Sequence, residues 1–227
     1  ALRRAKPASE HTQSAQAKVR EQLDFADRQS FDDAAKGFIA TLEPLTLQRD
    51  KGQVTYDLAR MSFLDQEAPD TVNPSLWRQA QLNAQHNGLY EICDGLYQVR
   101  SFDIANMTLI RGNSGWIIVD PLTSSESSAA ALQLANDHLG ERPVVAVIHT
   151  HSHADHFAGV LGVINHDDAT SGRVAVIAPK DFVKESLNEN VLVGNAMARR
   201  STYMYGNLLP ASPTGYVTTG LGAALSM

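Results

Sequence analysis

Four histidines and an aspartate crowd into the stretch VIHTHSHADHFAGV, Val147 to Val160: His149, His151, His153, His156 and Asp155. The whole chain has 8 histidines, so half of them lie here. Imidazole nitrogen and carboxylate oxygen are donors suited to zinc and related first-row ions. A divalent cation held by such donors readies water for attack near neutral pH and offsets charge building on a leaving group. The pattern is that of a candidate metal centre. A histidine-rich surface loop or an expression tag would not follow directly on an apolar run such as RPVVAVIHT.

If the chain stays extended beyond that run, successive side chains alternate sides. His151, His153 and Asp155 then share one side, and His156 points elsewhere, where a second ion a few Å away would meet it. His149 has the parity of His151 and His153, so spacing leaves it open as a ligand. Its place at the end of the apolar run favours a buried or supporting role instead.

The elements that must hold this loop can be read around it. RPVVAVIHT is a continuous apolar run suited to a buried strand, and a loop at the end of such a strand is where α/β proteins place their sites. Before it, GLYQVRSF and MTLIRGNSGWIIVD read as strands with a Gly112-Asn113 turn, and SSESSAAALQLANDHLG as a helix stopped by Gly140. After it, RVAVIAP reads as another buried strand and KDFVKESLNEN as a helix. This order predicts a layered α/β domain over 88–227. Residues 1–87 read as a polar N-terminal arm, loose or helical, followed by a helical segment. In that segment Ser30 would cap a helix presenting Phe31, Ala35, Phe38 and Ile39, and Pro74 would open a second helix through Gln85.

The decad THSHADHFAG, Thr150 to Gly159, resembles the T-H-x-H-x-D-H-x-x-G signature of the metallo-β-lactamase superfamily. The resemblance implies an αββα sandwich, of which this chain would hold one half, with one or two metal ions, zinc by analogy, at the sheet edge. His151 and His153 would ligate the first ion, Asp155 and His156 the second, with Asp155 also taking the catalytic role. His149 falls outside the signature. Asp120, ending WIIVD, is a simple strand-end residue on its own terms; the resemblance makes it the earlier aspartate that supports the ligand loop.

A second likeness narrows the group. SLNENVLVGNAMARRSTYMYGNLLP, Ser186 to Pro210, together with LYEICDGLYQVRSFDIANMTLIRGNSGWIIVDPL, is similar to alkyl sulfatases, which hydrolyse detergents such as dodecyl sulfate. That likeness implies an alkyl sulfate substrate, with Tyr205 and Asn207 bonding the sulfate and Arg199 and Arg200 holding an anionic group or ordering the loop. On their own terms the arginines could be solvated or paired with carboxylates, Tyr205 could be core packing, and Asn195 could cap or turn the backbone. An alkyl chain would need an apolar slot beside the site, worth about 0.8 kcal/mol per buried CH₂. Homodimerisation and a periplasmic or secreted location follow from the likeness alone, and a cytoplasmic one stays open. A lactone, thioester or phosphodiester hydrolase of the same superfamily, or an inactive metal-binding fragment, would carry the same cluster.

A catalytic zinc ion takes three protein ligands as a rule, and the cluster supplies two side chains per ion. No histidine follows His166, and Glu185 and Glu189, the last acidic residues, read as solvated on a predicted helix. The expectation is an N-terminal portion of a longer polypeptide, its site completed by the remainder or by a second chain. Composition fits a globular domain: 43% hydrophobic, 19% charged, net charge −6. Without a basic run, nucleic acid is not expected as a partner. No apolar run of about 18 residues suggests a transmembrane helix. The single Cys93 permits no internal disulfide and reads as a buried or inert thiol.

Overall fold

The computed structural model describes residues 5–49 and 52–226. In chain order the elements are α1 (Glu10–Gln22), α2 (Gln29–Ala35), β1 (Phe38–Ala40), β2 (Thr46–Gln48), β3 (Val54–Asp57), a 3₁₀ segment (Leu58–Asp65), α3 (Pro74–Gln85), β4 (Gly88–Cys93), β5 (Leu96–Arg100), β6 (Met107–Arg111) and β7 (Trp116–Val119). There follow α4 (Ser125–Leu139), β8 (Val144–Ile148), α5 (His166–Thr170), β9 (Ala175–Ile177), α6 (Phe182–Leu187), a π-helical stretch (Asn188–Leu192) and α7 (Gly194–Tyr205).

Seven strands form one sheet in the order β1-β4-β5-β6-β7-β8-β9, while β2 and β3 pair separately. Neighbours from β1 to β7 run antiparallel; β7, β8 and β9 run parallel. The parallel step needs a crossover, and α4 provides it. Ser124 caps α4 by accepting from Ser127 N–H, and Gly140, at φ +90°, ends it. Helix α4 sets Ala131, Leu134 and Ala135 against Leu89, Val99, Leu109, Trp116, Ile118 and Val147 of the sheet in one core cluster. Full burial of each large side chain contributes about 1.5–3 kcal/mol. The buried Trp116 indole donates to Asn136 Oδ1 at 2.9 Å, so packing it leaves no polar atom stranded.

Several sequence expectations are corrected. The helix expected to carry Phe38 and Ile39 stops at Ala35. Gly37 takes a left-handed φ of +72°, and a Cβ there would collide with the Glu91 carbonyl. The chain therefore turns, and Phe38–Ala40 joins the sheet beside β4. The segment before Gly88 is thus helical in α1, α2 and α3 but also supplies three strands, and Leu45, Leu47 and Tyr56 enter the main core. The apolar run of β9 is exposed at all three residues because it lies at the sheet edge. Cys93 is exposed rather than buried, at the turn between β4 and β5. The N-terminal arm is helical, as α1, and buries no residue.

One buried carboxylate ties the site-bearing end together. Asp103, in the β5–β6 loop, is fully buried. Its Oδ1 accepts from Ile104 N–H (2.8 Å) and Ser226 N–H (3.1 Å), and its Oδ2 from Thr123 N–H (2.9 Å) and Ser226 Oγ (2.5 Å). It joins the β5–β6 loop, the turn after β7 and the C-terminal segment. Among the described residues, no helix is long and apolar enough to cross a membrane.

Candidate metal centre

Strands β7 and β8 are parallel neighbours, so the residues leaving their C-terminal ends emerge at one sheet edge. Asp120 leaves β7 and the histidine stretch leaves β8. Asp120 N–H donates to the Ile148 carbonyl at 3.0 Å, and its backbone takes φ +55°. A non-glycine residue in that region is sterically disfavoured and points to a local constraint. The constraint is visible in the side chain. Oδ1 accepts from Thr150 N–H at 2.8 Å, and Oδ2 accepts from Thr150 Oγ1 at 2.6 Å and lies 2.9 Å from His156 Nδ1. Asp120 thus contacts both Thr150 and His156 of the loop.

The loop is not extended throughout. Residues Ala154–His156 form a 3₁₀ turn, with His156 N–H bonding to the His153 carbonyl at 3.0 Å. Strict alternation therefore ends at His153. His156 swings back until its ring centroid is 4.1 Å from that of His151, and His153 lies 4.6 Å from His151 on another side. Asp155 pairs with His156, Oδ2 to Nε2 at 3.2 Å, rather than sharing a face with His151.

Oxygen partners surround the three rings. His151 Nδ1 is 2.9 Å from Thr150 Oγ1, and its Nε2 is 3.0 Å from His153 Nδ1. His153 Nε2 is 3.2 Å from Glu189 Oε1. Glu189 reads from the sequence as solvated on a helix, yet the π-helical stretch carries it against the histidine loop. No spacing signal connects residues so far apart in the chain.

His149 stands apart. Its ring is buried, stacked on Phe182 (centroids 5.4 Å, interplanar angle 17°) and edge-on to Phe157 (6.1 Å). Its Nδ1 lies 3.4 Å from the His156 carbonyl. Burial pushes its pKa down. It packs helix α6 against the loop and faces the backbone of His156 rather than the cluster.

The last residue of the signature has a steric reason. A Cβ at Gly159 would lie inside contact distance of Ser128 Oγ and the Pro121 carbonyl, and 2.6 Å from the Ser124 carbonyl. Glycine lets the ligand loop lie directly on the turn from β7 to α4, where Gly159 N–H bonds to the Leu122 carbonyl at 3.0 Å.

The electrostatics follow from this geometry. Bonds to Asp120 and then Asp155 push the His156 pKa up to about 9. Burial works to raise Asp120 and Asp155, but bonds from His156, and from Thr150 for Asp120, outweigh it and hold both carboxyls below their usual range. His151 is pushed down by burial and by the neighbouring His156 and His153. The cluster is thus a set of imidazoles and carboxylates held at mutual contact. Asp120, His151 and His156 each offer a donor atom, all within 4.8 Å of one another. Imidazoles and carboxylates gathered in this way fit a divalent ion of the zinc type, with Asp120 near enough either to hold it or to support the rings that do.

The residues expected to meet substrate sit elsewhere among the described residues. Tyr205 and Asn207 line a cavity of about 280 Å³ with Tyr56, Arg60, Met61 and Leu209, and no histidine of the cluster lines it. Asn207 Nδ2 donates to Ser201 Oγ at 3.4 Å. Arg199 and Arg200 are exposed on α7. None of the four hydrogen-bonds to the cluster.

Comparison with known proteins places these features. A linear primary-alkylsulfatase of Pseudomonas sp. is 47% identical over 98% of this chain and 33% of its own length. The alkyl/aryl-sulfatase BDS1 of Saccharomyces cerevisiae is 46% identical over 98% of this chain and 34% of its own. The structure of the stereoselective inverting sec-alkylsulfatase Pisa1 from Pseudomonas sp. superposes with a TM-score of 0.91 at 45% identity, covering 98% of this chain and 35% of that one. The chain therefore spans about a third of the length of the curated relatives it matches. The model of the metallo-beta-lactamase superfamily matches residues 100–221, which run from the end of β5 through the histidine loop and α7. With that match over more than half of its length, the chain belongs to the metallo-beta-lactamase superfamily.

Proposed function

We propose that this chain forms part of a metal-dependent hydrolase that cleaves alkyl sulfate esters, such as dodecyl sulfate, to an alcohol and sulfate. The observation that carries the reading is the convergence of Asp120, His151 and His156 within 4.8 Å, in a chain 45–47% identical to alkylsulfatases over nearly its whole length. His151, His153, Asp155 and His156 would hold a pair of zinc ions, with Asp120 at the centre of their support. When bound, such ions supply Lewis-acid chemistry and a nucleophile at neutral pH.

The protein's own residues supply position. Asp120 fixes Thr150 and His156 at once, and Asp155, 22% exposed at its side chain, is the catalytic carboxylate on this reading. The apolar cavity bounded by Tyr56, Met61, Ile104, Leu209 and Leu225 supports an alkyl-chain site, with Tyr205, Asn207 and Arg60 as its polar contacts. Arg199 and Arg200 lie on the helix leading into it. Two ions need more ligands than the cluster supplies, so activity is expected of the complete protein rather than of these residues alone.

The test is release of sulfate and dodecanol from dodecyl sulfate by the complete, zinc-loaded protein. Turnover of lactones, thioesters or phosphodiesters without sulfate release would replace the sulfatase reading with another hydrolase. A protein that retains no metal and turns over none of these would be an inactive member of the superfamily.

A further inference from the structure

Of the three rings in the cluster, His153 is the least enclosed. Its side chain is 55% exposed, against 25% for His156. An exposed imidazole on a loop is free to rotate unless something holds it. His151 has Thr150 at its Nδ1, and His156 has Asp120 at its Nδ1. His153 has Glu189 at its Nε2, 3.2 Å away, while its Nδ1 faces His151 Nε2 at 3.0 Å.

The placement of Glu189 is specific. It sits in the π-helical stretch Asn188–Leu192, closed by Val193 N–H bonding to the Asn188 carbonyl at 3.0 Å. A π turn winds the backbone more widely than an α turn and shifts the side chains that follow; such turns recur at functional sites. Here the flanking Val191 and Leu192 are 67% and 76% exposed, whereas the Glu189 side chain is only 26% exposed and turned onto the loop. The preceding helix is docked on the same loop twice: Phe182 stacks on His149, and Ser186 Oγ donates to the Ser152 carbonyl at 3.5 Å.

We propose that Glu189 is a positioning residue, presented by the π-helical stretch, that grips His153 Nε2 and thereby aims His153 Nδ1 at the centre shared with His151. A carboxylate behind a metal-binding imidazole fixes the ring's orientation and tautomer. The inference rests on the metal reading above and adds a residue that the signature does not contain.

The experiment is cobalt(II) titration of the complete, metal-free protein, following affinity and the visible absorption bands of the bound ion. Glu189→Ala is expected to weaken cobalt binding about 10–100-fold, the range for loss of an outer partner of a ligand, and to shift the bands. Glu189→Gln, which keeps an oxygen acceptor at the same reach, is expected to recover most of the affinity and the spectrum. Glu185→Ala, an exposed carboxylate one turn earlier, is expected to match wild type. A Glu189→Ala protein with wild-type affinity and spectrum overturns the inference, as does a Gln variant no better than Ala. A wild-type protein that takes up no cobalt overturns the metal reading itself, and this inference with it.

Discussion

Asp120 and His156, 36 residues apart in the chain, meet at 2.9 Å between Oδ2 and Nδ1. The same oxygen also accepts the Thr150 hydroxyl, so one carboxylate joins the end of β7 to both ends of the ligand loop. Replacing it by an amide keeps the shape but puts an N–H₂ against at least one of its three donors. Asp120→Asn is therefore expected to lower zinc affinity about 10–100-fold, as loss of an outer partner does. Competition with a chromophoric chelator measures this. Unchanged affinity would show that the loop holds its geometry without Asp120.

The same contact predicts a pH dependence in the metal-free protein. The His156 pKa is raised from 6.5 to about 9 in the fold, so the folded state binds its proton more tightly than the unfolded chain. That contribution is fully present below about 6.5 and is lost as pH rises through about 9. Asp120 and Asp155 have depressed pKa values, and their contribution is lost instead as pH falls below the carboxylate range. The urea midpoint in the presence of chelator should decline from pH 6.5 to 9, and Asp120→Asn should flatten that decline. A midpoint that rises over this interval would contradict the pairing.

Much of the site was legible in the sequence because its chemistry is local. The histidine loop and its strand declare themselves through residue type and short spacing, whereas Asp120, a simple strand-end residue on its own terms, was marked by the resemblance alone. Glu189 did not, because its contact with His153 depends on a π-helical register that no hydrophobic period encodes. In the fold, α4 and β8 were legible from serine and glycine stops and an apolar run. The run RVAVIAP misled because an edge strand and a buried strand can share one composition. Phe38 and Ile39 fitted a helical face, but the left-handed Gly37 between them and α2 won. Tyr205 and Asn207 were marked by the resemblance alone, and the cavity they share with Tyr56 and Arg60 depends on the N-terminal elements being in place.

His149 offers a clean separation of packing from ligation. Its buried ring is stacked on Phe182 and hydrogen-bonds no side chain of the cluster. His149→Ala should cost about 3 kcal/mol, in the range for removing a buried ring, while zinc stoichiometry stays at the wild-type value. His149→Phe, which keeps the stack and loses only the 3.4 Å contact to the His156 carbonyl, should recover most of that stability. Loss of an equivalent of zinc in the Phe variant would make His149 a ligand after all.

Gly159 tests whether close backbone approach, rather than glycine's flexibility, is what the end of the signature requires. Its φ of −81° is open to any residue, so Gly159→Ala carries no penalty from backbone conformation. The added methyl would instead strike Ser128 Oγ, in the first turn of α4, and the Pro121 and Ser124 carbonyls, on the turn that follows Asp120. The two carbonyls belong to a turn held by Asp103 through Thr123 N–H, and Ser128 to the packed helix α4, so the loop is expected to move rather than its support. Overpacking of this kind costs about 1–3 kcal/mol, and the displaced loop should also bind zinc more weakly. Gly140→Ala is the contrasting variant: at φ +90° it is strained, but no atom lies within 4 Å of the new methyl. It should lower the melting temperature and leave zinc affinity unchanged. Equal zinc affinity in both variants would mean that the loop and the turn are not coupled through Gly159.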